Sequence, residues 1–171
     1  MTSPSPSLSS SLATQEQHLV FDRFDADTAW QIGTRLVELA RTKDKPVVID
    51  IRLFSHPLFY AALPNSTPDH AEWIRRKRNT VARFHTSSYG VGVGLRRRGT
   101  TLEQEFGLSK KDYIENGGSF PIRLRDSGVI GSITVSGLPE EEDHLMVVQV
   151  LCETLGMDLA ALTRGFGAQE E

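Results

Sequence analysis

The chain of 171 residues contains one cysteine, Cys152, which excludes an intrachain disulfide framework and leaves stability to a packed core. Cys152 falls in an apolar helical run and reads as a buried, inert thiol. No apolar run approaches the roughly 20 residues needed to cross a bilayer. The N-terminus has neither the basic segment nor the apolar core of a secretory signal, so a cytoplasmic, non-membrane protein is expected. Lys and Arg total 19 against 22 Asp and Glu, a formal charge of -3 that gives no general attraction to nucleic acid or anionic lipid. The chain also lacks a Ser-His-Asp, Cys-His or paired-carboxylate signature, and it has no CxxCH haem-attachment signal. Glycines 90, 92 and 94 resemble a phosphate loop only superficially, because they follow a helical pattern rather than a strand.

What is present reads as one α/β domain. Residues 1–16 are rich in Ser, Thr and Pro and are expected to be a disordered tail, with the domain spanning 17–160 and a flexible tail over 161–171. His18 to Phe24 forms a short lead-in strand. A helical pattern starts at Asp25, with Asp27 or Thr28 as cap and Thr28 and Gln31 spaced as a capping box. Val47 to Leu53 alternates as a strand, and Leu58 to Leu63 is placed to pair with it. Thr67 caps a second long helix that opens on Pro68, with Asp69 and Glu72 in its first turn. Thr86 to Gly99 reads as a glycine-rich strand or loop, and two short helices are expected over Thr101–Leu108 and Ser109–Asn116. Phe120 to Leu124 and Val129 to Val135 alternate around the turn Asp126-Ser127-Gly128. Pro121 cannot donate to a ladder, which places its strand at a sheet edge. Pro139 then leads a helix whose acidic first turn, Glu140 to Asp143, complements the helix dipole, and Gly156 stops it. Strand pairs separated by helices imply a mainly antiparallel sheet of about five strands with helices on its faces.

Three side chains stand out chemically. Lys77 interrupts the stripe of His70, Ile74, Val81 and Phe84, so it snorkels, pairs with a carboxylate, or meets an anionic ligand. His144 shares a helix face with Val148 and Leu151, and Asp143 sits beside it. These two are adjacent rather than three or four apart, a poor spacing for a shared metal ion, and no metal site is expected. Arg75, Arg76 and Arg78, with Arg96 to Arg98, form basic clusters that could meet the acidic run at Glu140 on a neighbouring subunit.

The segments Trp73 to Val81, Gly117 to Ile122, Gly128 to Pro139 and Glu142 to His144 resemble the UPF0303 family, within the haem-degrading-domain group of HbpS-like and GlcG-like proteins. The resemblance spans His18 to Gly156. It implies a three-layer α/β/α, profilin-like fold, a multimeric assembly and, through relatives, haem as cofactor. Potential axial ligands are His18, His56, His70, His85, His144, Tyr60, Tyr89 and Tyr113. Three functions compete on these residues. The leading one is a homo-oligomeric module binding a small anionic or aromatic ligand, haem included, near Lys77, Phe120 and His144. The others are an enzyme using Asp143, His144 and Lys77 for proton transfer, and a scaffold whose assembly is its main property.

Overall fold

Alternation in four segments builds a single sheet. The structure, a computed structural model, describes residues 7–167. The strands are β1 (Val48–Leu53), β2 (His56–Ala62), β3 (Ser119–Leu124) and β4 (Gly128–Ser136), in the spatial order β2-β1-β4-β3 with every neighbour antiparallel. Gly128 takes a φ of +76°, the left-handed turn position that only glycine adopts without strain. Pro121 lies on the edge strand β3, as its missing donor requires. Four strands replace the expected five. The lead-in segment contributes a single parallel bridge, Phe21 to Leu124, because Asp25 caps the next helix by accepting the Thr28 amide at 2.9 Å. Asp25 is thus the cap, in place of Asp27 or Thr28.

The register sorts the side chains into two unlike faces. Ile49 opposes Val135 and Ile51 opposes Ile133, and with Phe120 and Ile122 they pack under α2 (Ala26–Thr42) and α6 (Glu140–Leu155). On the other face, Asp50, Ser119, Ser132, Thr134 and Ser136 are all buried beneath α3 (Pro68–Phe84), which adds Lys77 and Thr80. The result is the three-layer, profilin-like arrangement. One layer is held by apolar packing, and the other combines a narrower apolar stripe, Ile74 and Val81, with hydrogen bonds and ion pairs. Asp50 shows what that requires, since its fully buried carboxylate is held by the Arg52 fork at 2.9 and 3.1 Å and by Arg78 at 3.2 Å.

Two regions differ from expectation at the termini and two in the middle. Residues 1–6 and 168–171 of the expected tails lie outside the described residues. Leu8–His18 is a helix, α1, whose Ser11, Leu12 and Gln15 are buried. Its sparse apolar content suffices because it docks on α4 (Ser88–Arg97) and on the C-terminal turn around α7 (Leu159–Leu162). The Gly165 amide donates to Ser11 Oγ at 2.9 Å, and Leu162 is itself buried. The glycine-rich stretch expected as strand or loop is α4. Ser87 caps it by accepting the Gly90 amide at 3.1 Å, and burial of Tyr89, Val93 and Leu95 outweighs the low helix propensity of glycine. Leu102–Phe106 forms the short helix α5, but Ser109–Asn116 does not form a second. Its carbonyls are instead held against α3, Lys111 by Arg75, Asp112 by Asn79 and Ile114 by Thr80.

Candidate functional site

The polar layer focuses on Lys77. α3 carries it in the buried stripe of Ile74 and Val81, with the side chain 3% exposed, and its ammonium donates to Asp143 Oδ2 at 2.8 Å and to the Val135 carbonyl at 3.2 Å. Asp143 is held from its other oxygen by the Leu138 amide at 3.0 Å. Lys77 therefore pairs with a carboxylate, one of its three expected fates. An ammonium has three N–H donors, and the third has no protein partner among the described residues.

The turn before β3 makes this approach possible. Gly118 has a φ of +133°, and a Cβ there would stand 2.8 Å from Lys77 Nζ and 3.1 Å from Asp143 Cβ. A side chain at 118 would displace the pair. Gly117 donates its amide to Glu140 Oε2 at 3.2 Å, which ties the same turn to the first turn of α6.

Lys77 and Asp143 line a cleft of about 250 Å3 together with Asp69, His70, Trp73, Asn116, Gly137 and Glu140. Burial raises the Asp143 carboxyl from its ordinary 3.8 to about 6, against the pull of Lys77 and the backbone amides. Burial likewise lowers the Lys77 ammonium, with Asp143 opposing. The pair thus sits closer to proton exchange than either group does in water. Of the remaining lining groups, His70 uses Nδ1 to accept the Thr67 amide at 3.0 Å, and Glu140 lies 3.5 Å from Arg96. Asp69 has no cationic partner among the described residues, so the cleft carries excess negative charge. Asp69 was legible as a first-turn residue of a helix, and His70 as a member of the stripe that Lys77 interrupts. Their place on the cleft depends on the chain returning at Asn116 and Gly137.

His144 goes elsewhere. It is fully buried and stacks on Phe166 at 5.7 Å between ring centroids, near Tyr89 at 5.1 Å and Phe120 at 6.0 Å. Its Nε2 meets Gln15 Oε1 at 2.8 Å, while the Gln15 amide nitrogen donates to the Leu162 carbonyl at 2.9 Å. That places the proton on Nε2 and leaves Nδ1 without a partner. Burial lowers the imidazole to about 3, so it is neutral near pH 7. The expected grouping of Lys77, Phe120 and His144 thus divides, with Lys77 and Asp143 on the cleft and Phe120 and His144 in the aromatic cluster. Gln15, the residue that fixes His144, gave no signal within its polar segment.

Comparison with known proteins places this architecture. The model of the family described as haem degrading protein HbpS-like matches residues 24–152. The chain belongs to the HbpS-like family. A UPF0303 protein of Acidobacterium capsulatum is 50% identical over 149 residues, covering 87% of this HbpS-like chain and 90% of that one. A crystal structure of the Ybr137w protein superposes with a TM-score of 0.78 at 33% identity, covering 85% of this chain and 86% of that one. A complex of PduOC with haem has a TM-score of 0.61 at 20% identity over 72% of this chain and 89% of that one, a likeness of fold.

The family name raises haem, which requires an axial ligand beside an apolar slot and cations for its propionates. In the polar cleft His70 offers an imidazole, but Asp143 neutralises Lys77 and the carboxylates of Asp69 and Glu140 would repel propionates. A second cleft, of about 380 Å3, has the apolar walls Leu39, Leu145, Leu159 and Phe166 with Lys43 among its lining residues. It has no imidazole, phenol or thiol; the thioether of Met146 is its one soft donor. His144 lines neither cleft. Neither of these two clefts therefore assembles a complete haem site from the described residues.

Proposed function

We propose that the chain is a cytoplasmic, homo-oligomeric module that binds a small polar ligand in the cleft beside Lys77 and Asp143. One observation carries the reading: a buried ammonium with an uncommitted N–H lies on the wall of a cleft that also offers His70, Trp73 and Asn116. Binding sites combine a concave surface with a few converging polar groups in this way. The anionic ligand expected from Lys77 alone gives way to a neutral or cationic one, because Asp143 neutralises Lys77 and Asp69 adds negative charge. Native mass spectrometry of protein purified from its own cell tests the proposal. The expected result is a multimer retaining a small molecule that is lost on His70→Trp, a substitution that fills the cleft. Saturable haem binding that survives His70→Trp would overturn the polar-ligand reading, and so would wild-type protein that retains no ligand and is stabilised by none in a thermal-shift screen.

A second reading is favoured by the raised carboxyl and the lowered ammonium 2.8 Å apart. Here the pair relays a proton to or from a bound substrate, with Asp143 as acid and Lys77 as its partner. His144 drops out of this enzyme, since it does not face the cleft. Asp143→Asn would then abolish turnover while leaving ligand retention intact. The scaffold reading loses part of its stated basis, because four of the six arginines are paired with carboxylates within the chain: Arg75 with Glu72 and Asp112, Arg78 with Asp50, Arg96 with Glu140 and Arg98 with Glu105.

A further inference from the structure

The two edges of the sheet are finished differently. The outer edge of β3 is occupied at both ends. Ser88 Oγ accepts the Ser119 amide at 3.1 Å, and Phe21 donates to the Arg123 carbonyl at 2.8 Å and accepts the Arg125 amide at 2.9 Å. The outer edge of β2 makes no such contact among the described residues. Its sequence, His56 to Ala62, contains no Lys, Arg, Asp or Glu to discourage another strand, and Pro57 blocks pairing only near its start. Open, uncharged edges are templates for strand addition.

Beside that edge lies a groove of about 560 Å3 walled by Trp30, Val37, Leu58, Phe59 and Tyr60. Trp30 is 63% and Tyr60 53% exposed, the two most exposed large hydrophobic side chains described. Phe59 packs edge-on to Trp30 at 5.7 Å, and its ring fills the space over Gly33 where a Cβ would otherwise stand. Glu38 and Arg41 border the same groove, one turn apart on α2; Glu38 Oε2 accepts from Arg35 at 3.1 Å, and its Oε1 has no hydrogen-bond partner among the described residues. Arg41 has no ion-pair partner among the described residues.

We infer that a second copy of this chain docks here, with β2 antiparallel to β2 across a two-fold axis and the paired grooves closed over Trp30 and Tyr60. This rests on the homo-oligomeric part of the function proposed above. A two-fold contact is self-complementary, so a surface bearing a carboxylate and a guanidinium one turn apart can satisfy both at once. Glu38 of one copy then faces Arg41 of the other, and the sheet continues from one copy into the next. A different protein would need a matching charge pair and a free strand of its own, whereas a second copy supplies both by symmetry.

The test is the association constant of the full chain, measured by light scattering and native mass spectrometry across a dilution series. Assemblies with an even number of copies are expected. Tyr60→Lys should weaken association by at least about tenfold, by placing a gatekeeper charge on the edge. Glu38→Arg and Arg41→Glu should each weaken it by about tenfold, and the double variant should recover most of the loss. Circular dichroism confirms that each variant is folded. A monomeric wild type overturns this inference together with the homo-oligomeric reading. An odd-numbered assembly, or an even one indifferent to Tyr60→Lys and to both charge reversals, overturns the β2 interface alone.

Discussion

Asp143 and His144 are neighbours on α6, both about 1% exposed, and their surroundings have little in common. Asp143 faces the polar layer, where a cation and a backbone amide hold it at the wall of a cleft. His144 faces an aromatic cluster, where one amide side chain from α1 holds it away from any cleft. A helix turns by about a hundred degrees per residue, so adjacent positions can serve different layers of a sandwich. Adjacency in sequence therefore made a poor argument for a joint Asp-His site. The pairing that matters joins residues 66 positions apart.

The largest effect should come from breaking the polar side of this comparison. Lys77→Met leaves the Asp143 carboxylate buried without its cation, which should lower unfolding free energy by about 3–5 kcal/mol. Pairing it with Asp143→Leu should recover most of that loss, since well-packed apolar replacements of a buried ion pair are close to neutral. Urea unfolding of the two single variants and the double variant measures both effects, and a double variant no better than the worse single one would show that the pair does more than neutralise itself. The aromatic side should yield less. Gln15→Ala removes the partner of His144 Nε2 and of the Leu162 carbonyl together, at about 2 kcal/mol for two buried polar groups left unmatched. The same unfolding assay reads it, and a change within error would mean that α1 is not needed to clasp the C-terminal turn.

How much of this was legible follows from which forces act locally. The β3–β4 hairpin, the Thr67-Pro68 start of α3 and the Gly156 stop of α6 are set by residues within a few positions of each other, and each sits where its local pattern puts it. Lys77 announced itself by interrupting an apolar stripe, although its partner could not be chosen from the pattern alone. Apart from the cap of α2, which is Asp25 and a local matter, the misses depend on distant contacts. α1 forms because Leu162 and Gly165 come back to Gln15 and Ser11, and α4 is a helix despite three glycines because its Tyr89 face is buried. Gly92 has a specific reason to be glycine, since a side chain there would strike the Glu115 carbonyl. Haem, implied by resemblance, finds no complete set of groups in the Lys77 cleft or in the apolar cleft beside Leu39, a count that only the folded arrangement makes available.

The sharpest test of the comparison is pH, because the two neighbours pull stability in opposite directions over the same range. The Asp143 carboxyl is raised from 3.8 to about 6 in the folded chain, so the folded state binds more protons at this site than the unfolded state between those values. Its contribution is complete below pH 3.8 and is lost as pH rises through 6. The His144 imidazole is lowered from 6.5 to about 3, so the unfolded state binds the extra proton there. Its contribution is complete above pH 6.5 and is lost progressively as pH falls towards 3. Each proton is worth up to about 1.4 kcal/mol per pH unit, and in the wild type the two slopes offset one another. His144→Phe should uncover the Asp143 slope, with stability falling as pH rises from 4 to 6. Asp143→Asn should uncover the opposite slope. Burial also raises Glu16, but it is common to all three proteins and cancels between their curves. Urea unfolding at half-unit steps of pH gives the comparison directly, and parallel curves would mean that the two neighbours do not differ in the way their surroundings require.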